Sequence, residues 1–91
     1  PIQCRFTARS NTAYQVFIGF NEAWWDKAGQ RVMDIELNGK TVATVDSFHG
    51  RKYAPSGYVF PATSDPEGTI RIRVLPHPGA PDQNTKRFST P

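Results

Sequence analysis

The residues able to do chemistry are few and scattered. His49 and His77 both fall in loop-forming stretches, and neither belongs to an i, i+4 or His-x-His pair. A zinc centre needs three or four His, Cys or carboxylate ligands. Cys4, His49 and His77 show no such spacing, so no metal or other cofactor is expected. Ser10, Ser47, Ser56, Ser64 and Ser89 lack the strand-turn-helix elbow or paired base that activates a serine. Glu22 and Asp26 are the nearest thing to a catalytic carboxylate pair, but acids in a polar loop are ordinarily solvated. The chain is therefore expected to be non-catalytic. Its aromatic residues say more. Trp24 and Trp25 are adjacent, flanked by Glu22 and Asp26, and Tyr53 and Tyr58 flank a long loop further on. Successive side chains of an extended segment point to opposite sides, so at least one indole faces a rim or solvent. A flat exposed ring is a platform for the apolar C–H face of a sugar, and neighbouring carboxylates accept hydrogen bonds from its hydroxyls. The alternative puts one indole in the core and the other under an adjacent module.

The elements that must position these residues are strands. Even positions Tyr14, Val16, Ile18 and Phe20 form one apolar face, with Phe17 and Gly19 on the other, which predicts a strand over 13–20 covered on both sides and central in its sheet. Met33, Ile35 and Leu37 alternate with Asp34 and Glu36, and Asn38-Gly39 then supplies the two positive-φ positions of a type I′ turn. Thr41–Val45 returns antiparallel. A polar loop is expected over 47–57, a short strand over 58–61 ended or confined to an edge by Pro61, and a turn at Ser64–Gly68. Thr69–Leu75 turns Ile70, Ile72 and Val74 inward and Arg71 and Arg73 outward. Residues 21–30 read as a loop, and no helical stripe is present. The pattern predicts an all-β, antiparallel β-sandwich.

Composition fits that class. The chain has 91 residues, 37% of them apolar, with 7 Gly and 8 Pro to make turns. That is one small domain. No apolar run exceeds three residues, so no membrane partner is expected. The net charge is +3, and no basic run is longer than two, which argues against a nucleic-acid partner. The lone Cys4 excludes an internal disulfide. The chain opens at Pro1 with no basic-then-apolar leader, as expected of a mature product or a cut fragment.

The stretch AYQVFIGFNEAWWDKAGQRVMDIELNGKTV resembles the centre of the malectin and malectin-like carbohydrate-binding domains. There a central strand ends in a phenylalanine–alanine–glutamate triplet, matched here by Phe20-Asn21-Glu22, and a hairpin follows, matched by Gln30 to Lys40 with Met33 in place of the usual phenylalanine. Val45-Asp46-Ser47-Phe48 and Thr69–Leu75 resemble later pieces of the family, so the likeness covers about residues 5–75. It implies a jelly-roll-like sandwich core over 1–75, then a Pro-rich segment over 76–91 that leads toward a closing strand near Phe88. The family's first portion and closing strand have no full counterpart here.

The resemblance also implies a function. The chain would be a non-catalytic, extracellular or periplasmic module that binds an oligo- or polysaccharide beside the catalytic domain of a glycoside hydrolase or polysaccharide lyase. Trp24 and Trp25 match the family's sugar-contacting aromatic pair, and Asp82 its late loop aspartate. Glu22, Asp26 and Tyr53 complete the expected ligand-binding set. Two other readings stand beside it: a structural sandwich that packs on a catalytic domain without glycan, and a protein-interaction ectodomain.

Overall fold

The computed structural model describes residues 2–83, and these form the expected all-β antiparallel sandwich. The strands are β1 (Ile2–Thr7), β2 (Ala13–Asn21), β3 (Val32–Leu37), β4 (Lys40–Asp46), β5 (Pro55–Thr63) and β6 (Thr69–Pro76). A four-stranded sheet runs β1-β6-β3-β4, and β2 and β5 form a two-stranded sheet over it.

The four-stranded sheet supplies the buried core. Met33, Ile35 and Leu37 from β3, Val45 from β4, and Ile70, Ile72 and Val74 from β6 are all buried, because their strands alternate strictly and show one face to the second sheet. Across the interface lie Tyr14, Val16, Ile18 and Phe20 of β2 and Tyr58, Phe60 and Ala62 of β5. These stay half-buried, since two strands cannot cover four. Phe20 meets Tyr58 edge-on at 6.1 Å, and Tyr58 stacks on Phe60 at 6.3 Å.

The β3–β4 hairpin turns at Asn38 (φ 49°) and Gly39 (φ 82°), as its sequence demands. Asn38 does more than turn the chain. Its Nδ2 donates to the Thr63 carbonyl at 2.9 Å, and its Oδ1 accepts from the Arg71 amide at 2.8 Å, which ties the hairpin tip to β5 and β6. A bulge between Ile35 and Glu36 leaves Val42 without a partner in the β3–β4 ladder.

Two expectations are corrected, and one strand is added. β2 is not covered on both faces: among the described residues it pairs with β5 alone, and Phe17 on its outer face is 70% exposed. β5 is nine residues long, so the preceding loop stops at Ala54, and Pro55 and Gly57 belong to the strand. The Phe17 ring lies over Gly57, where a Cβ would sit 2.6 Å from it. Pro61 is tolerated because β5 has one neighbour among the described residues, as an edge position requires. Finally, β1 was not anticipated, although Ile2-Gln-Cys-Arg-Phe-Thr alternates in period two and pairs in register with β6 from Ile2↔Val74 to Thr7↔Thr69.

Past β6 the chain is fastened back onto the sandwich. The His77 and Asp82 amides donate to the Val32 and Gln30 carbonyls, each at 2.9 Å, and Gln83 Nε2 donates to the His77 and Ala80 carbonyls. The anticipated closing strand at Phe88 lies outside the described residues.

Candidate functional site

The site is built at the end of the core where β2 stops and β3 begins. Inward-facing positions continue past both strand ends, so the alternation of β2 delivers Glu22 to the core face, that of β3 delivers Arg31, and that of β4 delivers Ser47. All three are buried, Glu22 to 2% exposure and Arg31 to 7%. A buried carboxylate is costly unless its lone pairs are used, and Glu22 uses them fully. Its Oε1 pairs with Arg31 Nε at 2.9 Å and accepts the Ser47 hydroxyl. Its Oε2 accepts the backbone N–H of Trp24 at 3.0 Å and of Trp25 at 3.3 Å. One carboxylate thus closes the turn that carries both tryptophans.

Arg31 also reaches the returning segment, with Nη2 3.6 Å from Asp82 Oδ2. Asp82 is 5% exposed, and the Trp25 indole donates from Nε1 to the same oxygen at 2.7 Å. Two acids and one guanidinium therefore share one buried cluster. The third approach comes from the 47–54 loop: the Tyr53 amide donates to the Glu22 carbonyl at 2.7 Å, and Asn21 Nδ2 to the Tyr53 carbonyl at 3.1 Å. Tyr53 takes a positive φ of 69° there and shows 62% of its surface to solvent. Asp46 steadies both loops, with Oδ2 accepting the Gly29 amide at 2.6 Å and Oδ1 the Phe48 amide at 2.9 Å.

The sequence-predicted residues are thereby sorted into two groups. Trp24, 57% exposed, Tyr53 and the exposed Asp26 face solvent. Glu22 and Asp82, expected as acceptors for ligand hydroxyls, are turned inward instead and spend their oxygens on Arg31, Ser47, the indole and the loop amides. Trp25 is half-buried, and its N–H is engaged by Asp82. Tyr58 belongs to the core rim, where its hydroxyl meets His49 Nε2 at 2.9 Å. Arg31, Ser47 and Asp46 were missed as site builders, although extrapolating the period-two pattern by one step past β2, β3 and β4 points to Glu22, Arg31 and Ser47 together. Among the described residues no group of three or more His, Cys, Asp and Glu is placed to hold a metal ion.

Elsewhere, Asp34 accepts the Thr44 hydroxyl at 2.7 Å and faces His77 Nδ1 at 2.8 Å. The Thr44 hydrogen bond first, and His77 second, hold the Asp34 carboxyl below the usual carboxylate range. Comparison of the chain with protein-family models, with curated proteins and with solved structures returns no match.

Proposed function

We propose that this chain is a non-catalytic carbohydrate-binding module in which a sugar ring stacks on Trp24, with Tyr53 and Asp26 at the rim. It would serve an oligo- or polysaccharide and act beside a catalytic domain. The observation that carries the reading is an indole 57% exposed on a loop whose amides are fixed by a buried carboxylate. Holding a large aromatic surface in water has a cost, and ordering it in advance lowers the entropy lost on binding. The resemblance to malectin-like domains points to the same loop. In this reading Trp25 anchors the loop through Asp82, while Glu22 and Asp82 shape the site and do not touch the ligand.

The test is a glycan array followed by affinity electrophoresis on neutral glucans, galactans and pectic polymers. Trp24→Ala is expected to abolish binding with an unchanged melting temperature. Trp25→Ala is expected to lose stability as well, through the Asp82 contact. Wild-type affinity in Trp24→Ala, or silence of the folded protein across the array, overturns the reading.

A second reading has its own observation. Phe17 and Val59 lie opposite each other on the outer face of the two-stranded sheet, exposed to 70% and 59%. Such a face suits packing against a neighbouring domain without glycan. Self-association of the isolated chain that Phe17→Ser abolishes, with no glycan bound, favours it.

A further inference from the structure

The outer face of the four-stranded sheet carries a second feature, remote in the chain from the aromatic loop. In the β1–β6 ladder Arg5 stands directly opposite Arg71, and Gln3 opposite Arg73. Ile70, Ile72 and Val74 point inward, so all four of these side chains lie on the solvent face, and all are exposed. Directly opposed residues hold their Cβ atoms only about 4.5–5.5 Å apart, and like charges so placed repel. Arg73 relieves its own charge on Glu36 at 3.1 Å. Among the described residues no carboxylate lies within ion-pairing distance of Arg5 or Arg71. Together with Gln3 and Arg73 the pair borders a shallow depression of ≈ 310 Å³.

We propose that Arg5 and Arg71 form an oxyanion site for the carboxylate or sulfate groups of an acidic polysaccharide. Two guanidinium forks carried from one ladder position can both turn their N–H donors to a single carboxylate or sulfate group. An anion between them also removes the repulsion that the free protein carries. The neighbours select the class of polymer. Asp34 and Glu36 lie on the same face one strand away and bound the cationic patch on that side. None of the described residues on this face is aromatic, so stacked bases have no platform. A polyanion without bases to stack fits better. The polysaccharide half of this assignment rests on the carbohydrate reading above, whereas the cation pair does not.

The experiment measures binding of polygalacturonate, dextran sulfate, neutral dextran and a single-stranded DNA 20-mer to the wild-type protein, Arg5→Gln/Arg71→Gln and Trp24→Ala, at two salt concentrations. The wild type is expected to bind polygalacturonate or dextran sulfate more tightly than DNA, and more weakly as salt rises. The arginine double variant is expected to lose this by about tenfold, the lower end for charged hydrogen bonds at an exposed site. Its melting temperature is expected at or above the wild-type value, because repulsion has been removed. Unchanged binding of both acidic polysaccharides in the double variant overturns the proposal and leaves the Trp24 reading standing. Tighter binding of DNA overturns the polymer class. Loss confined to the arginine variant, with Trp24→Ala inert on every sugar tested, upholds the oxyanion site and overturns the aromatic reading instead.

Discussion

Replacing Glu22 by Gln changes one oxygen for a nitrogen and leaves the volume nearly unchanged, yet it should be among the most damaging single changes in this protein. The carboxylate is engaged on both sides: at Oε1 by the ion pair with Arg31 and the Ser47 hydroxyl, and at Oε2 by the Trp24 and Trp25 amides. An amide has one oxygen. With its NH₂ toward Oε1's position it confronts Arg31, and only Ser47 can turn its hydroxyl to accept. With the NH₂ the other way it confronts two backbone N–H groups that cannot turn at all. A buried donor left unsatisfied costs about 1–3 kcal/mol, and removing one partner of a buried ion pair about 3–5 kcal/mol. Asp82, 3.6 Å from Arg31, keeps part of the counter-charge, so the expected loss is about 2–4 kcal/mol. For a domain of this size that is a fall in Tm of roughly 10–30 °C. The assay is thermal unfolding followed by circular dichroism, with Glu36→Gln as control. Glu36 pairs with the exposed Arg73, and the control should lose at most ~1 kcal/mol. A Glu22→Gln protein that melts within ~3 °C of wild type, or no lower than the control, would refute the argument that this carboxylate holds the loop through its lone pairs.

Two glycines should respond in opposite ways. At Gly68 φ is +76° and a Cβ would lie 2.4 Å from the Ala8 carbonyl oxygen, a backbone atom that cannot yield, so Gly68→Ala should cost upwards of ~2 kcal/mol in urea unfolding. At Gly57 the clash is with the exposed Phe17 ring, which can swing into solvent, so Gly57→Ala should cost less than ~1 kcal/mol. Ile35 is fully buried at 0% exposure, and Ile35→Ala should cost about 2–5 kcal/mol in the same measurement. The pH dependence has a definite sign. Asp34 is held below its ordinary value of 3.8 by Thr44 and then His77, so it binds a proton less readily folded than unfolded. Its contribution is therefore present above pH 3.8 and lost as pH falls through the lower folded value. The Tm difference between wild type and Asp34→Asn should shrink as pH falls through that acid window; a difference that grows there would contradict the assignment.

Much of the fold was legible because it rests on alternation, which a sequence displays directly. Met33-Asp34-Ile35-Glu36-Leu37 could lie in a sheet only one way up, and Asn38-Gly39 could turn only with positive φ. Ile70, Ile72 and Val74 were assigned to the interior for the same reason. Sheet membership was not legible. Phe17 looked like the second buried face of a central strand, but its surroundings depend on how many strands lie beside β2, and that is a property of long-range pairing. β1 was equally hidden. Its period-two pattern is short, and its role as the partner of β6 joins residues about seventy positions apart in the chain.

The candidate site divides along the same line. The sequence alone determined that the acids beside the two adjacent indoles needed partners or water. Only the tertiary structure decided which acids went where. Strand alternation carried one step too far brings Glu22, Arg31 and Ser47 to the same end of the core, and the return of the chain after β6 adds Asp82. Three segments distant in sequence then satisfy one another's buried charges and amides. What remains in water is Trp24, Tyr53 and Asp26. Burial is a collective outcome of packing two sheets, so a carboxylate's type and neighbours in the chain cannot say whether it will face a ligand or an arginine.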